Sequence, residues 1–464
     1  MLTPDNLAYK LAKGKPWPPE DEVGFMKRLT IYEENALLFA GKHDQVYKVL
    51  NSLYSTHEME PRKVKLFLNW HKRLSTLWAD MLLGEKPMLK AGKQDLTSDE
   101  PPIEDKYLTS MISRVKLWRQ GYALALDMSR FGVGIAKVYA EEGKPAKLQI
   151  ISPKNWFPII GLDGQPEAHM IAWMTEQYVN HVRVPILWVE IHSPGKILSC
   201  NYAISLSGKI ASDARDKKEV PTEFDLPLVF PIINGYTSDN IYGTDDYQDI
   251  DTIIKRLEIT FTRIGAILDR HSEPAFAVPE DAIGPKDPLT GEQNFNMNRK
   301  VFPLQKGDQP PQYITWDGQL AAAFNLIKDL MSQLYVMSET CAAAFLPDTI
   351  GRAISGKALR MLMVNPLKRV ERMKLNFDPE VRQIIRAISY LDVAAKVEGA
   401  VKLDQFQITW YDGLPIDFSE DVTSVTQLKV ANCITDERAQ SILFRLDGKA
   451  LIDEVDKLHA EVGI

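Results

Sequence analysis

GTDDYQDIDTIIKRLEITFTRIGAILDR, residues 243–270, decides how this chain is read. Its apolar residues Tyr247, Ile250, Ile254, Leu257, Phe261, Ile264 and Leu268 alternate three and four apart, the spacing that keeps one helical seam turned toward a partner. A helix over Thr244–Arg270 would be roughly 40 Å long, longer than an ordinary globular helix. Asp245, Asp246, Asp249 and Asp251 crowd its start, and Lys255, Arg256, Arg263 and Arg270 follow, an order that complements the helix dipole. Leu320, Phe324, Ile327, Met331 and Leu334 repeat the seam in a second long helix. The two seams are expected to pack on each other within one chain. A helical hairpin inside an ordinary core would give the same periodicity.

Between the two helices, residues 272–316 hold Pro274, Pro279, Pro285, Pro288, Pro303, Pro310 and Pro311, with strand-like pieces at Ala275–Val278, Lys300–Leu304 and Tyr313–Trp316. This predicts a small β-containing module, since structureless loops of such length are uncommon. After the second helix comes a loop, residues 345–355, and then a helix from Lys357 that Pro366 is expected to kink. Asp378-Pro379 offers a cap followed by a first-turn proline, so the sequence predicts a restarted helix to about Lys396. A strand at Phe406–Trp410 and short helices at Thr423–Ala431, Asp436–Leu446 and Lys449–Glu461 complete the chain.

Upstream, Pro61–Leu83 is predicted as an amphipathic helix that stops at Gly84 with Pro87 beyond. Lys90–Asp105 is polar and aperiodic, hence a loop, and Ser110–Asp127 is helical again. Phe131-Gly-Val-Gly-Ile-Ala-Lys-Val-Tyr139 switches to a β-branched strand, and short strands follow at Lys147–Ile151, Trp156–Ile160, Met170–Thr175, Pro185–Ile191 and Ile197–Ser205. The expected class is α+β and mostly helical, with a mainly antiparallel sheet.

The chain has 464 residues, is 45% hydrophobic and 25% charged, and carries a net charge of −7. That length supports several cores. No run of eighteen apolar residues occurs, which argues against a membrane span. The N-terminus lacks the apolar core of a secretory signal. Cys200, Cys341 and Cys433 stand far apart with no CxxC pair, so they read as small hydrophobes in a reducing compartment. Acids are interspersed among the bases almost everywhere, which excludes a tight grip on nucleic acid through phosphates. An acidic balance suits a surface that DNA slides past.

Gly351-Arg-Ala-Ile-Ser-Gly356-Lys357-Ala358 matches a phosphate-binding loop except at its last position. Such a loop needs a Ser or Thr hydroxyl for magnesium where Ala358 stands, and a buried strand before it. A helix and a turn containing Pro347 are expected there instead. The eight histidines show no HExxH spacing and no GxSxG occurs. The sequence therefore predicts no enzyme, no metal site and no cofactor.

The order of these parts resembles the portal proteins of tailed bacteriophages, in particular the SPP1-like portal family. The carrying stretches are Lys65–Pro87, ending Leu-Leu-Gly-Glu-Lys-Pro; Phe131–Ala136 with Tyr139; Asn240-Ile-Tyr-Gly-Thr-Asp-Asp246; and Ser355-Gly-Lys-Ala-Leu359. The resemblance implies an α+β wing over residues 1–240, stem helices at 241–271 and 317–344, and a clip at 272–316 between them. It further implies a tunnel loop at 345–355, a long wing helix at 356–398, a wing strand and connection at 399–421 and a helical crown at 422–464. Implied function is a ring of about twelve copies at one capsid vertex of the virion, assembled in the host cytoplasm. Double-stranded DNA would be packaged through it by the terminase and later ejected.

The implied partners are other copies of the chain, the large terminase, head-completion or adaptor proteins, the major capsid and scaffolding proteins, and DNA held weakly without sequence preference. Membranes are not among them. In the tunnel loop the candidate residues are Asp348, Thr349, Arg352, Ser355 and Lys357. Stem contacts between subunits are assigned to Asp251, Lys255, Arg256, Glu258 and Arg263, and docking on the clip to Glu280, Asp281, Lys286, Asp287, Arg299 and Lys300. The alternatives are a helical-hairpin scaffold or adaptor without a channel, and an ATPase using 351–358.

Overall fold

A computed structural model describes residues 2–18, 23–49, 66–92, 101–179, 182–272, 275–277, 312–314, 320–345, 356–411, 418–444 and 448–462. It divides into two units. One comprises Met1–Val46, Asn69–Ile250 and Tyr335–Ile464, the other Tyr47–Leu68 and Asp251–Leu334.

The first unit begins with α1 (Pro4–Lys10), α2 (Val23–Phe39) and the single turn α3 (His43–Val46). The next helix, α4 (Trp70–Leu83), starts later than the expected Pro61. Residues 50–65 lie outside the described residues, 66–69 are not helical, and the Asn69 side chain accepts the Lys72 N–H at 3.2 Å, capping the helix there. After β1 (Met88–Lys90), the single helix expected over Ser110–Asp127 is in fact two, α5 (Ile103–Val115) and α6 (Leu117–Phe131). Lys116, in the left-handed region at φ 54°, breaks them apart.

Strand β2 (Val133–Tyr139) lies between β3 (Lys147–Ile151) and β9 (Val229–Ile233) in a three-stranded antiparallel sheet. Its apolar start, Val133–Ala136, is explained by burial on both faces, and the buried Lys137 that follows pairs with Glu190 at 2.7 Å. A second sheet is an antiparallel meander of β4 (Trp156–Ile160), β5 (Pro166–Val179), β6 (Val182–Ser193), β7 (Lys196–Ala203) and β8 (Arg215–Pro221). Period-two alternation sorts its residues between two cores. Phe157, Ile159, Met170 and Ala172 join Leu2 and Leu11 on one side, while Trp156 and Ile171 join Val133, Ile135 and Val229 on the other. The N-terminal segment thus closes its own chain's sheet, with Leu2 bridging Ile159 and Trp17 packing on Phe157.

The second unit is built on α7 (Asp251–Ser272), which starts after the expected Thr244. Asp245 accepts the N–H groups of Tyr247 and Gln248, both at 3.0 Å, and these bonds wind the preceding residues into turns. Strands β10 (Ala275–Ala277) and β11 (Gln312–Ile314) pair antiparallel in the insert; the expected strand at Lys300–Leu304 lies outside the described residues. Helix α8 (Leu320–Met337) stops short of the expected residue 344. Glu339 turns left-handed and the Thr340 N–H bonds back to the Tyr335 carbonyl at 2.9 Å, which ends the helix.

Back in the first unit, α9 (Gly356–Leu362) is followed by α10 (Val364–Ala394). The break expected at Pro366 falls instead at Met363, and Pro366 occupies the first turn of α10, where no N–H is required. Nor does the helix restart at Asp378, because it runs through Pro379 unbroken. Leu375, whose carbonyl Pro379 leaves without a helical donor, is exposed to solvent. Asp378 binds the Arg382 guanidinium at 2.6 Å and the Trp410 indole N–H at 2.7 Å, so it ties the helix across that point. Strand β12 (Gln407–Thr409) pairs with β1, and α11 (Phe418–Val430), α12 (Asp436–Phe444) and α13 (Gly448–Val462) follow.

Candidate interaction surfaces

Helix α7 buries most of its predicted seam. Ile254 and Leu257 are fully buried and Ile264 nearly so, whereas Leu268, further along, is 50% exposed. On α8 only Ile327 and Leu334 are buried, and Phe324 is 47% exposed. Two seams closed on one another would bury Phe324 and Leu268, so the expected self-contained hairpin is corrected: part of each seam is open. Open apolar faces on long helices mark contact surfaces.

The five charges assigned to contacts between subunits separate into three groups. Glu258 is fully buried and accepts the Leu68 N–H at 2.9 Å, so it is no surface charge; this corrects the expectation. Asp251 accepts the Tyr47 hydroxyl proton, and the Lys255 ammonium lies 5.7 Å from the Tyr47 ring centre. Burial and that carboxylate together push the Tyr47 phenol up. Arg256 and Arg263 remain exposed.

Within the first unit, the loop leading toward α7 is fastened by residues distant in sequence. Gly132 and Gly243 adopt φ 81° and 72°, and a Cβ on Gly243 would lie 2.1 Å from the Gly132 carbonyl oxygen. Only glycine permits that approach. Asn234 donates to the Thr244 carbonyl at 2.9 Å and to Asp246 at 3.0 Å, and its oxygen accepts from Arg369 at 2.9 Å. Arg369 also pairs with Asp246, and Arg372 grips both carboxylate oxygens of Glu339. The Arg28 guanidinium is buried 4.0 Å from the Tyr242 ring centre and 5.4 Å from that of Tyr32, a cation–π arrangement. A cleft of about 450 Å³ lies among Leu74, Trp78, Asp245, Asp246, Glu339 and Arg369. Burial there raises the Asp245 pKa to about 6.

Of the loop at 345–355 only Phe345 is described. It packs edge-on against Trp70 at 4.9 Å and stacks on Tyr335 at 6.1 Å. Asp348, Thr349, Arg352 and Ser355 lie outside the described residues, as do Glu280, Asp281, Lys286, Asp287, Arg299 and Lys300. Lys357 lies in the first turn of α9, and the described element before the loop is a 3-10 turn at Ala342–Ala344, where a phosphate-binding loop requires a strand. Among the described residues no cluster of metal-ligating side chains occurs, and no helix is long and apolar enough to cross a membrane.

The sequence matches the family described as phage portal protein, SPP1 Gp6-like, over residues 24–462. This chain belongs to that portal family. Among curated proteins none matches it. Similar solved structures include the neck of a native GTA particle computed with C12 symmetry, at 14% identity and TM-score 0.46, covering 94% of this chain and 97% of that one. Another is from the virion of a native gene transfer agent particle, at 15% identity and TM-score 0.42, covering 95% and 98%. A third is the neck of an empty GTA particle computed with C6 symmetry, at 14% identity and TM-score 0.43, covering 93% and 96%. In this portal-family chain, the stretches at 131–136 and 240–246 that carried the resemblance contain Gly132 and Gly243, the two backbones in contact. Those two stretches were the one sequence signal for the junction. Asn234, Glu339, Arg369 and Arg372 gave none, because their partners are 10 to 135 positions away.

Proposed function

We propose that this chain is the subunit of a closed portal ring at one capsid vertex of a virion, through whose channel double-stranded DNA is packaged and later ejected. The observation that carries the reading is the portal-family match over nearly the whole chain. The partly open seams of α7 and α8 support it, since a ring requires a head-to-tail contact between unlike faces of neighbouring copies. In this reading residues 1–240 form the wing, α7 and α8 the stem, 272–316 the clip, 345–355 the tunnel loop, 356–398 the long wing helix and 422–464 the crown. Arg256 and Arg263 meet acids on the next subunit. The clip receives the terminase during filling and head-completion proteins afterwards, with ATP hydrolysed by the terminase.

Asp348, Arg352 and Lys357 would place a few charges per subunit around the channel, repeated by symmetry. Together with the net charge of −7, they touch DNA weakly and without sequence preference. Electron microscopy of the purified protein tests the ring: rings with a central channel are expected, and monomers or dimers alone at high concentration overturn the reading. Deleting residues 348–354 tests the loop. Rings should form as before while packaging of DNA into capsids falls; loss of assembly instead makes the loop a packing element.

A further inference from the structure

The sequence after α8 favours a longer helix than the one that forms. Ser338-Glu-Thr-Cys-Ala-Ala-Ala-Phe345 contains three consecutive alanines, the strongest helix formers, yet α8 ends at Met337. Glu339 stops it at φ 54°, a region that residues with a Cβ rarely adopt. Asparagine and glycine are the usual residues there, and Glu339 is neither.

What holds Glu339 in that conformation lies on α10. Arg372 bonds both of its carboxylate oxygens, and Arg369 Nε lies 3.8 Å from Oε2. Arg369 is anchored in turn on Asn234 and Asp246, and Asn234 is buried. A continuous polar chain therefore runs from the end of β9 and the loop before α7, across α10, to the turn that leaves α8. Beside this turn is the cleft of about 450 Å³, lined in part by Met337, Ser338 and Glu339. It offers room for the turn to rewind.

We propose that the Glu339–Arg372–Arg369 contact is a latch that holds off a helical extension of α8. When the latch opens, Glu339 relaxes to a right-handed backbone and α8 continues through residues 338–344. Rise per residue drops to about 1.5 Å in the new helix, so Phe345 is drawn along the α8 axis. The latch stands on the chain alone; its consequence for a channel rests on the portal reading.

Hydrogen exchange of the full-length protein at neutral pH tests it, comparing the parent with Glu339→Gln, Arg372→Gln, Glu339→Gly and the charge-swapped pair Glu339→Arg with Arg372→Glu. In the two glutamine variants exchange over 338–344 should slow about tenfold or better, most of all at 341–343, whose N–H groups gain i−4 helical partners, since Glu339, Thr340 and Ala344 already donate to backbone carbonyls. Glycine accepts the left-handed backbone without help, so Glu339→Gly should keep the short helix and exchange like the parent. The charge swap should return exchange to the parent rate. Unchanged or faster exchange at 338–344 in both glutamine variants overturns the latch. Rings imaged in the same samples report on the portal reading separately, since the exchange result does not depend on them.

Discussion

Asp245 and His169 are buried groups that make stability depend on pH in opposite senses. Burial raises the Asp245 pKa to about 6 from 3.8. The folded state therefore binds more protons between those values, and stability falls as pH rises through that window. Asp245→Asn keeps an oxygen for the Tyr247 and Gln248 N–H groups without the charge. It should raise the melting temperature at pH 8, by a stability gain on the order of 2 kcal/mol, and the gain should shrink by pH 4. His169 is the reverse case. Burial lowers its pKa to about 4, and its Nδ1 accepts the Trp156 indole N–H at 3.3 Å, so the ring is neutral. The unfolded chain takes up the proton first, so this contribution is complete above about pH 6.5 and is lost down to about pH 4, roughly 3 kcal/mol in all. His169→Gln should flatten that stretch of the profile of melting temperature against pH. An unchanged acid slope places the titrating group elsewhere. Glu258 shows why buried charges are missed in the sequence: it is assigned there to a contact between subunits, but its partner, the Leu68 N–H, is 190 positions away.

Periodicity located the elements because burial of one face is a local pattern, and it misplaced their ends because ends are set by single caps and distant side chains. Asn69 starts α4 later than the apolar pattern does, and Lys116 and Glu339 each stop a helix where that pattern would let it continue. The opposite error occurred on α10, where Asp378-Pro379 looks like a helix start. The helix passes through because Arg382 and Trp410 hold Asp378 from the far side of the proline. Proline inside a helix costs up to about 3 kcal/mol relative to alanine, and nothing at this exposed position offsets it. Pro379→Ala should therefore stabilise the protein by about 1–2 kcal/mol, read as a higher denaturant midpoint with an unchanged slope. A loss of stability would mean that the proline fixes a bend on which the packing of α10 depends.

At the scale of the whole molecule, the family was legible from the order of parts, whereas the faces that join copies were not. Heptad spacing reports that a seam has a partner and is silent on whether the partner belongs to the same chain. Burial separates the two cases for particular residues: Leu257 is fully enclosed, and Phe324 on the other seam is half exposed. If the open part of the α8 seam is the contact surface of the proposed ring, Phe324→Asp removes an apolar contact that exists only in the assembly. The variant should keep the parent's circular dichroism, and its stability as a single chain should change by under about 1 kcal/mol, as for a surface substitution. Each ring interface would then carry an unpaired carboxylate, whose burial costs several kcal/mol, repeated around the ring. Mass photometry should find single chains and no closed rings at concentrations where the parent assembles. Rings at the parent's abundance would show that this face looks onto solvent in the assembly, and the contact between neighbours would then fall to the surface around Arg256 and Arg263.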